Sequence, residues 1–96
     1  MIRTEDILNE REQTHGDFNR TAWYAQQTKQ LWNSKDDWLR LTPIQREALD
    51  HMATKVARIL SGDPNEAEHW RDIGGYAKLA EREIEENVRP DIAKCS

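Results

Sequence analysis

The chain has 96 residues, with 36% hydrophobic and 33% charged and a formal net charge of -4, which suits one small, highly charged domain with a modest core. That balance argues against general nucleic-acid binding, which needs Lys and Arg to neutralise phosphates, but leaves room for a local cationic pocket. No apolar run suits a signal peptide or a membrane span, and the single cysteine, Cys95, has no partner for a disulfide within the chain, so a cytoplasmic protein without membrane contact is expected.

The periodicity predicts an all-α domain over residues 1–88 with a tail over 89–96. Thr4 to Gln13 reads as a first helix: Thr4 caps it, Glu5 and Asp6 suit its positive end, and Ile7 and Leu8 form a narrow apolar stripe. Gly16 can end it in the left-handed conformation. Asp17 opens a second helix to about Asn33, with Phe18, Ala22, Ala25, Thr28 or Lys29, and Trp32 inward and Trp23 and Leu31 widening the stripe. Residues 33–37 read as a loop, after which Trp38 and Leu39 fold back on the core.

Thr42-Pro43-Ile44-Gln45 is the sharpest local signal. Thr42 is the N-cap, Pro43 fits the first helical position, and Gln45 completes a capping box. The helix that follows, about 43–61, carries Ala48, Leu49, Met52, Val56, Ile59 and Leu60 on a stripe wide enough for the central core element. Gly62 stops it. The next helix, about 65–87, starts from a cap at Asn65 or at Asp63, and turns Trp70, Ile73, Ala77, Ala80 and Ile84 inward. Gly74-Gly75 costs it roughly 1 kcal/mol per glycine, which suggests close approach by another backbone or by a ligand. The two helices form an antiparallel hairpin at the centre of a compact domain of about four helices.

That hairpin holds the candidate site. Lys55 and Arg58 share a face beside the apolar seam, where two cations suit a phosphate or carboxylate. His69, Asp72 and Tyr76 share a face of the next helix. The simpler alternative is an Arg58–Asp72 bridge across the hairpin, with the Tyr76 ring in the core and its hydroxyl in water. His15, in a His-Gly-Asp turn, is a further candidate, whereas His51 reads as structural or solvated. Glu47 and Asp50, and Glu68 and Asp72, are spaced to hold magnesium, but antiparallel packing separates the pairs. No serine, cysteine or glycine-loop signature supports nucleophilic or P-loop chemistry.

Thr-His-Gly-Asp-Phe at 14–18, Gln-Arg-Glu-Ala-Leu at 45–49, Lys-Val-Ala-Arg-Ile-Leu-Ser-Gly at 55–62 and His-Trp-Arg-Asp-Ile-Gly-Gly-Tyr-Ala at 69–77 resemble a family of small phage and prophage proteins of unknown function. The resemblance covers about residues 5–84 and implies a phage-related origin and a compact helical fold. More distantly, Asp-Ile-Gly-Gly-Tyr-Ala is similar to a helix of the all-α, MazG-like nucleoside-triphosphate pyrophosphohydrolases, which bind magnesium through paired acids on two helices. Asp72 matches the last acid of that pattern, but His69 stands at its partner's position, and Lys55 and Arg58 stand where acids are wanted.

Three functions follow as expectations. The first is a non-catalytic binder of a nucleotide-like or other phosphorylated small molecule, through Lys55, Arg58, His69, Asp72, Tyr76 and His15, with no cofactor; in a phage setting it would sequester a host defence signal or a nucleotide. The second is a divergent pyrophosphohydrolase with magnesium on Asp72. The third is a protein-binding inhibitor of a host defence complex. The four tryptophans exceed what one small core needs, so a homo-oligomer is also expected.

Overall fold

A computed structural model describes Thr4 and residues 15–88. The described residues form three α-helices and a short 3-10 turn, with no strand: α1 (Phe18–Asn33), the turn Asp36–Arg40, α2 (Pro43–Ser61) and α3 (Ala67–Val88). The all-α expectation therefore holds. The helix expected over 4–13, Thr4 apart, and the tail with Cys95 lie outside the described residues. None of the described helices is long and apolar enough to cross a membrane.

Local chemistry sets the helix starts. Gly16 takes φ +85°, and the Asp17 carboxylate then accepts from the Asn19 amide at 3.2 Å, capping α1. Thr42 forms the expected capping box: its hydroxyl accepts from the Gln45 amide at 3.2 Å, and the Gln45 side chain accepts from the Thr42 amide at 3.0 Å. The same Thr42 hydroxyl donates to Glu83 at 2.9 Å, tying the start of α2 to the end of α3. Neither cap expected for α3 forms. Asp63 instead accepts from the Asn65 amide at 2.9 Å within the turn, and helix begins only at Ala67.

α1 and α3 both pack on α2. On α2, Ser61 meets Thr21 of α1, and Arg46 donates to the carbonyls of Trp38 and Leu39 in the 3-10 turn. Lys55 and His51 meet Asp72 and Tyr76 of α3. At about 100° per residue these two groups point to roughly opposite sides of α2. The three helices therefore form one layer with α2 in the middle.

This arrangement explains a core that matches the expected one only in part. Among the described residues the buried apolar ones are Ala25 and Ala48, both expected inward, and Ala53 and Ala57, which were not, because a helix pressed between two neighbours meets each along a small-residue stripe. The large residues expected inward are displaced from those contacts. Phe18 is 78% exposed, and Val56, Leu60, Trp70, Ala77 and Ile84 are also exposed. Leu39 does not fold onto the core; Trp38 does, half-buried and stacked on Trp32 at 6.3 Å. At Gly74 and Gly75 an added Cβ would meet nothing within 4 Å, so none of the described residues makes the expected close approach.

Candidate functional site

The site starts at the junction of three elements. His15 lies just ahead of Gly16, and the left-handed glycine turns the chain so that the His15 carbonyl faces α1 and the end of α2. The Thr21 hydroxyl donates to that carbonyl at 3.2 Å and lies 2.6 Å from the Ser61 hydroxyl, which also reaches the Ala57 carbonyl at 2.8 Å. The His15 imidazole meets His69 of α3, Nδ1 to Nε2, at 3.2 Å. His69 is fully buried. It is a tie between the start of the described chain and α3, and it does not line either cavity described below.

Across one face of the layer run two neighbouring cavities. The larger, about 730 Å³, lies between α1 and α2, with His15, Phe18, Ala22 and Gln26 along it. The smaller, about 400 Å³, spans α2 to Tyr76 of α3 and includes Glu47, Asp50, His51 and Lys55. Lys29, Thr54 and Arg58 line both. Their shared position marks where the two cavities meet.

The charges in this groove are unequally engaged. Lys55 donates to Asp72 at 2.9 Å. That hydrogen bond, with the ammonium's charge, holds the Asp72 carboxyl below its ordinary range despite a smaller opposing effect of burial. The bridge expected between Arg58 and Asp72 is thus made by Lys55. Among the described residues, Arg58 and Lys29 have no ion pair and no side-chain hydrogen bond. Asp50 holds one buried carboxylate oxygen without a donor among the described residues. His51 lies 3.0 Å from Glu47, and its ring stacks on Tyr76 with centroids 4.6 Å apart and planes 7° from parallel. Such a stack presents a flat face to a planar ligand.

Of the six expected site residues, Lys55, Arg58 and Tyr76 converge on the smaller cavity. His15 lines the larger one. His69 and Asp72 stand behind, one as a buried tie and one as the partner of Lys55. Lys29, Asp50 and Thr54 were not expected in the site, and His51, read as structural or solvated, stands in it. Among the described residues, no three His, Cys, Asp or Glu side chains come together as metal ligands; Glu47 and Asp50 lie on a different stretch of the layer from Glu68.

Compared with known proteins, the chain matches no family model, no curated protein and no solved structure. The likenesses to phage proteins and to MazG-like enzymes therefore rest on the motifs quoted above.

Proposed function

We propose that the groove binds a small phosphorylated molecule of nucleotide type without cutting it. The observation that carries this reading is the pair of uncommitted cations, Lys29 and Arg58, at the place where the two cavities meet. A guanidinium and an ammonium beside a threonine hydroxyl suit a phosphate. The flat His51–Tyr76 stack lies on one side of them, at the right end for a base. The unsatisfied Asp50 oxygen supplies an acceptor for a ribose hydroxyl or an exocyclic amine. A field of mixed sign, with Glu47 and Asp50 beside the cations, favours a ligand with both an anionic end and a donor-bearing end over a simple anion. In a phage setting such a protein would hold a host signal or nucleotide. A homo-oligomer, expected from the tryptophans, belongs to the same reading, and its surface is argued in the next subsection.

The test is thermal shift and calorimetry against inorganic phosphate and nucleoside mono-, di- and triphosphates, with and without magnesium. Stabilisation by a nucleotide in the absence of magnesium is expected, and Arg58→Ala should weaken binding by roughly 10–100-fold, the cost of one charge-assisted contact. Phosphate or pyrophosphate release that Asp72→Asn abolishes would replace this reading with the hydrolase. A wild-type protein that responds to no nucleotide would refute both and leave the protein-binding alternative.

A further inference from the structure

We propose that the face of the helical layer opposite the groove is the interface of a two-fold symmetric homodimer. Arg58 and His51 mark the groove side of α2. By the same rotation, Met52, Val56 and Leu60 fall on its other side. On α3, Trp70, Ala77 and Ile84 recur every seven residues and lie on the side away from Asp72. Because α2 and α3 run antiparallel, these two stripes share one face of the layer. Val56, Leu60, Trp70 and Ile84 are 42%, 55%, 57% and 42% exposed.

Three observations point to a second copy of this chain as the occupant. First, domains are built from at least two packed layers around a core, and the described residues supply one. Among the described residues the buried apolar set is four alanines, a small core for three helices, so whatever covers the face must be present whenever the protein is folded. Another copy always is. Second, no described element covers it: with α1 and the 3-10 turn in place, Val56, Leu60, Trp70 and Ile84 keep 42–57% of their surface exposed. Third, the size fits. The six side chains expose roughly 400 Å² of apolar surface, taking about 150–250 Å² for a large side chain. That is about half of the ~800 Å² that each partner buries in a standard interface, the usual apolar share. Pairing two such faces stacks two α2–α3 hairpins into a four-helix arrangement. Gly74 borders the face with open space around it, where a helix of the second copy can come close.

Sedimentation equilibrium over a roughly hundredfold concentration range tests this. The wild-type protein should be a dimer. Ala77→Glu, which adds a charge at an exposed helical position, should weaken the dimer at least about tenfold. Arg20→Glu, exposed on α1, should leave it unchanged. A folded wild-type monomer across the range overturns the proposal, and so does an Ala77→Glu dimer of unchanged affinity. Should Ala77→Glu fail to fold, the wild-type protein still decides. Its tryptophan emission should shift to the red on dilution, and Trp70→Phe should remove that shift. An emission spectrum independent of concentration, or a shift that survives Trp70→Phe, overturns the assignment.

Discussion

Gly16 is a small residue on which a large part of the fold depends, and Gly16→Ala tests that dependence. Its φ of +85° is left-handed, and an alanine held there costs about 1–2 kcal/mol. The new methyl would also fall on the Ser61 backbone carbonyl and hydroxyl at the end of α2. Ser61 must then move, and with it the contacts among Ser61, Thr21 and the His15 carbonyl. Losing two of these at about 1 kcal/mol each brings the total to about 3–4 kcal/mol. For a domain of this size that lowers Tm by roughly 15–25 °C. Thermal unfolding followed by far-UV circular dichroism measures it directly. Gly75→Ala is the matched control: the added Cβ meets nothing within 4 Å, and the helix gains about 1 kcal/mol of propensity, so Tm should rise. If Gly16→Ala melts within about 3 °C of the wild type, a shift worth well under 1 kcal/mol here, the junction is not held as described.

Two further predictions concern the residues behind the groove. His69→Ala removes a fully buried ring and its contact with His15; it should cost about 2–4 kcal/mol in urea unfolding, and an unchanged midpoint would show that the tie does not contribute. Asp72 is held below its ordinary value of 3.8, first by the hydrogen bond from Lys55. Because the folded state has the lower pKa, the stabilisation is complete above the unfolded value and is lost as pH falls through the folded one. Asp72→Asn should therefore be less stable than wild type at neutral pH, with the gap closing below about pH 4. A gap that stays constant down the acid limb would mean that the carboxylate's charge is not what Lys55 holds.

Half of the candidate site was legible because it lies on one hairpin. Lys55 and Arg58 are three residues apart, so helical geometry alone puts them on one face, and the short turn brings Tyr76 opposite. Lys29 could not be found that way. It lines the same cavities as Arg58 only because α1 packs on α2, which brings together residues far apart in sequence. Asp50 and Thr54 were hidden for a related reason: their side of α2 becomes a groove wall only when α1 stands beside it. His69 was misplaced as a surface ligand because nothing local marks it as the partner of His15.

The sequence by itself determined the described helices and the starts of α1 and α2. Thr42-Pro43-Ile44-Gln45, Asp17 and Gly16 act through hydrogen bonds and backbone angles within a few residues, and those effects survive in any tertiary setting. What only the tertiary structure decided is which stripe of each helix is inside. Periodicity selected Ala48 and the large residues of α2 and α3, yet a middle helix with a neighbour on each side also buries Ala53 and Ala57 and leaves Val56 and Leu60 facing outward. The hydrophobic pattern records that a face must be covered. It does not record whether the cover comes from the same chain, and here the helices beside α2 occupy its alanine stripes and leave the larger apolar face open.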